Sequence, residues 1–184
     1  MKFLGGAVKE TLTFLFLAVI IVVPIRVFVA QPFVVEGESM YPTFDNADYL
    51  VINEFIYRFH APERGDVVVF RLPGDPSKFL IKRVIGLPGE TVRINHGEVS
   101  IITPAGQTIK LDEAYVVTED ATYTRDAALG ADQYFVMGDN RPRSSDSRAW
   151  GTLPKQNIVG RVDLRLFPLD QTGFKPGNSY KPQQ

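Results

Sequence analysis

The stretch VVVFRLPGDPSKFLIKRVIGLPGETVRINHGEVSII, residues 67–102, decides the fold class of this chain. Its apolar residues come in short runs: Val67 to Phe70, Leu80 to Ile85, Val92 to Ile94 and Val99 to Ile102. β-branched and aromatic side chains dominate these runs, and such side chains suit a pleated, extended backbone. Gly, Pro, Asn and Asp punctuate them. Leu87-Pro88-Gly89 reads as a turn. Asn95-His96-Gly97, between two runs, reads as a tight hairpin. Short β-rich runs bounded by turn residues predict an all-β domain.

Working outward, Ile158 to Leu166 supplies another run of the same kind. Between them, Thr103 to Asp132 mixes weak strands with polar loops and reads as a small inserted β-region, about 103–132. The main domain is expected over 31–170. From Thr172 onward the chain is rich in Pro, Gly, Gln and Asn, so 171–184 reads as a flexible tail. No amphipathic helix is evident in this part of the chain.

Upstream the pattern is different. Thr11 to Ile25, TLTFLFLAVIIVVPI, carries no charge. Extended past Arg26 through Val29, it nears the ~20 residues that span a bilayer. The long stem of Arg26 can carry its guanidinium to the headgroups. Residues 1–30 are therefore read as a short cytoplasmic stub and a single transmembrane anchor. A cleaved secretory signal fits less well, because Phe28 stands where a small residue is expected two before Ala30. A buried core helix is the other alternative. Lys2 and Lys9 precede the run, and Glu36 and Glu38 follow it. This charge bias predicts a cytoplasmic N-terminus and a main domain on the outer face of the cell membrane.

Composition narrows the chemistry. A chain of 184 residues suits one domain plus an anchor. The net charge of −1 gives no case for a nucleic-acid partner. With no cysteine, disulfides, thiolate metal sites and cysteine nucleophiles are excluded. Only His60 and His96 are present, one in a loop and one in the hairpin turn. A Ser-His-Asp triad and a histidine-rich metal site are both disfavoured. No metal or other cofactor is expected.

Three windows carry candidate chemistry. Ser39 lies in GESMYPT, 37–43, where a serine between Gly and Pro is most often just a turn residue. Lys82 lies in FLIKRVIG, 79–86. On a strand it shares one face with Leu80 and Val84. Burial there disfavours the ammonium and makes a lysine a competent base near neutral pH. A lysine at a strand edge that reaches water is the plainer alternative. The third window, GDNRPRSSDSRAWG, 138–151, combines Asp146, Arg148, several hydroxyls and the only tryptophan. A simple surface loop rarely needs so many hydrogen-bonding groups.

The order of these windows is more specific than any one of them. An N-terminal apolar segment, then S-M-x-P-T, K-R-V-x-G-x-P-G and G-D-N-R-x-x-S-x-D-S-R-x-W-G strongly resembles bacterial type I signal peptidase, a Ser/Lys serine protease family. The resemblance runs from the apolar segment to about Gly160. It implies a mainly antiparallel β catalytic domain with a second, inserted β-region. It implies Ser39 as nucleophile and Lys82 as general base, cutting signal-peptide-bearing preproteins after Ala-x-Ala sites through an acyl-enzyme. Ser144 would orient the lysine amine, and Asp146 and Arg148 would form an ion pair that shapes the loop behind the dyad. Met40 would pack beside the nucleophile, and Phe33, Val35, Leu80 and Ile81 would wall shallow substrate pockets. The peptide is expected to bind as an added strand. The lipid bilayer is the other expected partner, with Phe55, Tyr57 and Phe59 either resting on it or packed in the core. Gly37 departs from relatives that carry a serine two residues before the nucleophile. The oxyanion would then rest on backbone N–H groups, chiefly that of Ser39. Two rivals remain: another Ser/Lys protease of related fold, and a membrane-tethered β-domain adaptor with no catalytic activity.

Overall fold

A computed structural model describes residues 2–24, 31–117 and 120–177, with the side chains of the N-terminal helix described over 9–20. That helix, α1, spans Lys2–Pro24. Its described large apolar side chains, among them Leu12, Phe14, Leu15 and Phe16, are exposed. Among the described residues no helix is long and apolar enough to cross a membrane. The far part of the expected anchor, 25–30, lies outside the described residues.

The rest of the chain is built from strands. In chain order they are β1 (Gln31–Val34), β2 (Tyr49–Asn53), β3 (Val67–Leu72), β4 (Asp75–Gly86), β5 (Thr91–Asn95), β6 (Glu98–Ile102), β7 (Thr108–Lys110), β8 (Arg125–Ala128), β9 (Gln133–Met137), β10 (Leu153–Pro154), β11 (Ile158–Phe167) and β12 (Gly173–Phe174). They form two sheets in which every pairing is antiparallel. The larger runs β1-β2-β11-β3-β4-β9-β10, with β12 beside β11. The smaller runs β7-β6-β5-β8. The mainly β, antiparallel architecture expected from the runs at 67–102 is thus present. A four-residue helix, α2 (Ser147–Trp150), follows β9.

Local chemistry explains the joints. β5 and β6 pair Asn95 with Glu98, so His96 and Gly97 form a two-residue loop. Both have positive φ, 48° and 86°. That is the conformation whose twist matches the flanking strands. At Leu87-Pro88-Gly89 the Glu90 N–H donates to the Leu87 carbonyl at 3.2 Å, closing the turn read from sequence. The smaller sheet takes in residues 91–128, so the hairpin that precedes 103–132 belongs to it as well.

Three apolar clusters fill the interior. One joins Ile85, Phe135 and Met137 of the main sheet to Val92, Ile94, Val99 and Ile101 of the smaller one. A second packs Val35, Met40 and Phe44 against Leu50, Ile52, Val67, Val69 and Val162. The third holds Val68, Phe70, Val84, Tyr134, Val136 and Leu153. These clusters bury the faces of strands whose side chains alternate, and they clamp the central pair β3-β4 from neighbouring strands. Of the segment 171–184 read as a flexible tail, Gly173 and Phe174 pair with β11, and the Lys175 N–H donates to the Asp163 carbonyl at 2.7 Å.

Candidate active site

Lys82 sits in the middle of β4, in register with Val68 of β3. Both are in the buried interior, Lys82 being only 2% exposed. Its Nζ donates to Ser39 Oγ at 2.7 Å and to the Ile81 carbonyl at 2.8 Å. No carboxylate contacts the amine within ion-pair distance among the described residues. Burial therefore pushes its pKa down, to about 8, while the more distant charges of Asp146 and Asp139 only partly oppose this.

Ser39 comes from the loop between β1 and β2. The loop is pinned at three points. The Gly37 N–H donates to Asn46 Oδ1 at 2.9 Å. Asn140 N–H donates to the Ser39 carbonyl at 3.1 Å, and Asn140 Nδ2 to the Glu38 carbonyl at 3.0 Å. Gly37 has φ of +89°, a conformation in which a serine would be strained. The glycine noted in the sequence as a missing hydroxyl donor is thus also a backbone requirement.

The third window stands directly behind this loop. A Cβ on Gly138 would lie 2.4 Å from the Ser39 carbonyl oxygen and 2.2 Å from Ser144 Oγ, so only glycine fits there. Asp146 is fully buried and accepts from the Gly138 N–H at 3.0 Å. It also accepts from Arg148 Nε at 2.9 Å and Nη2 at 3.0 Å. This two-pronged pair holds the loop's shape. Arg148 Nη2 also bonds the Arg141 carbonyl, and Arg141 in turn pairs with Glu113 at 2.6 Å. The Asp146–Arg148 pair expected from the motif is present. Ser144 is in place beside Gly138, but its buried Oγ has no hydrogen-bond partner, so the expected bond to the lysine amine is not made here.

A cleft of about 300 Å³ opens beside the Ser39–Lys82 pair. Phe33, Val35, Leu80 and Ile81 line it, as expected, together with Ser39 and Lys82. Met40 does not line it: it is 1% exposed and packs in the core with Val35 and Phe44. The sequence reading missed Leu50, Val69 and Phe79 on the cleft wall. It also missed the buried Arg83–Asp139 pair, 2.6 Å apart, which lies within the same motifs that gave Lys82 and Asp146. Among the described residues no three His, Asp or Glu side chains gather as a metal-binding group. His60 and His96 are exposed.

Comparison with known proteins identifies the family. The family model for signal peptidase, peptidase S26, matches residues 8–167. A probable signal peptidase I-1 of Synechocystis is 41% identical over 174 residues, covering 90% of this chain and 86% of its own length. A signal peptidase I of Leptolyngbya laminosa is 40% identical over 172 residues, covering 89% and 82%. A crystal structure of a signal peptidase I from Enterococcus faecalis shows 32% identity and a TM-score of 0.47, covering 56% of this chain and 97% of that one. The chain is thus a serine endopeptidase by class. It belongs to the signal peptidase family, peptidase S26, in its type I branch, whose work is the removal of signal peptides.

Proposed function

We propose that Ser39 and Lys82 are the catalytic dyad of this peptidase and that it works from the membrane surface. The observation that carries the reading is a buried lysine amine, 2.7 Å from a serine hydroxyl, whose pKa lies near 8. At that value a useful fraction of the amine is neutral at physiological pH. Neutral Lys82 accepts the Ser39 O–H proton as Oγ attacks the scissile carbonyl. The tetrahedral oxyanion rests on backbone N–H groups, chiefly that of Ser39. On collapse Lys82 passes the proton to the leaving amine, and the signal peptide stays as an ester on Ser39. Lys82 then takes a proton from water, which attacks the ester. The proton returns to Ser39 as the peptide carboxylate leaves. Ser144, whose hydroxyl lies unpartnered behind the site, is read as the group that orients the amine during this cycle.

The cleft supports a preference for small-x-small sites. Its walls are mostly apolar, and a small side chain seated against them beside Ser39 would be favoured over a polar one. The peptide would lie as an extra strand beside β1 and β4, with its first and third residues before the cut facing inward.

Anchorage rests on α1. A helix whose apolar side chains are exposed on every side needs an apolar medium or partner. Lys2 and Lys9 on one side and Glu36 and Glu38 on the other favour a single pass, with the catalytic domain on the outer face. Exposed Tyr49, Phe167, Leu169 and Phe174 form an apolar rim on the β2-β11-β12 side of the sheet, suited to an interface with lipid. Phe59, 68% exposed and stacked edge-on against Phe55, offers a second contact. Tyr57 does not: its hydroxyl donates to Asp66 at 2.9 Å and its ring packs on the core.

The test is cleavage of an exported precursor by the purified full chain, with Ser39→Ala and Lys82→Ala alongside. Both variants should lose at least about a thousandfold in rate. Cleavage at the wild-type rate by either would remove the dyad assignment. If both stay fully functional in cells, the adaptor reading gains.

A further inference from the structure

A second and larger cleft, about 690 Å³, lies next to the loop that carries Ser39. It is lined by Glu38 and Tyr41, the near neighbours of Ser39 in the chain, and by Asp45, Asn140, Val117 and Arg143. Asn140 ties it directly to the reacting residue, because its backbone and side chain hold the carbonyls of Ser39 and Glu38. Ser39 lines the first cleft, and its chain neighbours Glu38 and Tyr41 line this one. If the small residues before the cut occupy the apolar cleft, this neighbouring cleft is open to the part of the substrate chain that follows the scissile bond.

The lining is chemically distinct from that of the first cleft. Tyr41 and Val117 are 49% and 69% exposed and give it apolar walls. Three exposed charges mark its rim. Glu38 and Arg143 pair with each other and neutralise one another. Asp45 is exposed and makes no ion pair among the described residues. Asp139 also borders the cleft, but its charge is matched by buried Arg83. The uncompensated charge at the rim is thus the Asp45 carboxylate.

We propose that this cleft binds the first few residues of the mature chain, immediately after the cut, and that Asp45 makes it favour basic over acidic side chains there. The inference rests on the protease reading above and adds a second specificity element to it. An exposed charge acting on a flexible side chain is worth little, so the preference is modest and screened by salt.

The experiment uses the full chain in detergent and two synthetic peptides. Both carry the same Ala-x-Ala signal side; one has Lys and the other Glu at the second position after the cut. The wild type should cleave the Lys peptide about threefold better in kcat/KM at low salt. The ratio should fall toward one in Asp45→Asn and rise in Arg143→Gln, and it should shrink with added salt. A third peptide, with a bulky residue in place of the last Ala, reads signal-side selectivity. Its rejection should be the same in both variants. A wild-type ratio near one, or a ratio unmoved by both substitutions, overturns the inference while leaving the protease reading intact. A wild type that cuts none of the peptides removes the protease reading and this inference with it.

Discussion

Lys82 and Arg83 are neighbours on one strand, both buried cations, and their surroundings could hardly differ more. Arg83 is fully enclosed, and every side of its guanidinium is answered. Its Nε and Nη2 donate to the two Asp139 oxygens at 2.9 and 2.6 Å. Its Nη1 donates to the Gly65 carbonyl at 3.1 Å and bonds the Gly177 carbonyl. The Tyr115 ring stacks 4.0 Å from its centre. Asp139 is completed by a 2.5 Å bond from Thr43 Oγ1. Lys82 has a hydroxyl and one carbonyl. The lesson is that burial alone does not define a residue's role; the supply of counter-charge does. An arginine cannot lose its proton, so it must be compensated and becomes structural. A lysine left uncompensated gives up its proton near neutral pH and becomes available for chemistry.

The largest effect that would break this contrast is on the Arg83 side. Asp139→Ala leaves a buried guanidinium without its partner, and about 3–5 kcal/mol of stability should be lost in a urea titration. A loss under about 1 kcal/mol would mean that the tyrosine stack and the carbonyls suffice without the carboxylate.

The next concerns Lys82 and has the opposite sign. In the unfolded chain its pKa is the ordinary 10.5, whereas in the folded site it is about 8. At pH 7 both states are protonated, and the folded state carries a desolvated charge. That difference corresponds to about 3 kcal/mol of destabilisation as an upper bound. As pH rises from about 8 toward 10.5 the folded amine is already neutral and the unfolded one is not, so the penalty fades. Lys82→Met should therefore be inactive yet more stable at pH 7, with a gain that shrinks at alkaline pH. Thermal melts of the two proteins at pH 7 and 9.5 check this. A variant less stable than wild type at pH 7 would show that the bond to Ser39 outweighs the cost of burial.

The smallest effect sharpens the same point kinetically. If neutral Lys82 is the base, kcat/KM should rise about tenfold from pH 7 to pH 9, with a midpoint near 8. A flat profile across that range would detach the lysine's protonation from the reaction.

The contrast also shows where sequence reading stops. Lys82 and Arg83 stand side by side in the same motif, and nothing in FLIKRVIG says which cation receives a carboxylate. Asp139 lies 56 residues further on. Likewise the resemblance implied Met40 packed beside Ser39; the loop turns it into the core instead. Ser144 was expected to bond the amine, and its hydroxyl is unpartnered. Such distinctions turn on side-chain direction, which only the packed loop determines.

The sequence by itself determined the β architecture, since short β-branched runs between turn residues leave little alternative. It also brought out Ser39, Lys82 and the Asp146–Arg148 pair, because their motifs recur in a fixed order. The tertiary structure alone decided what those residues experience. Closing the β1–β2 loop onto Gly138 sets Ser39 Oγ 2.7 Å from Lys82 Nζ. Packing β4 between β3 and β9 removes water from that lysine. Desolvation and distance are properties of neighbours brought from far along the chain, so no local stretch can encode them, and they are what the proposed roles of nucleophile and base require of a serine and a lysine.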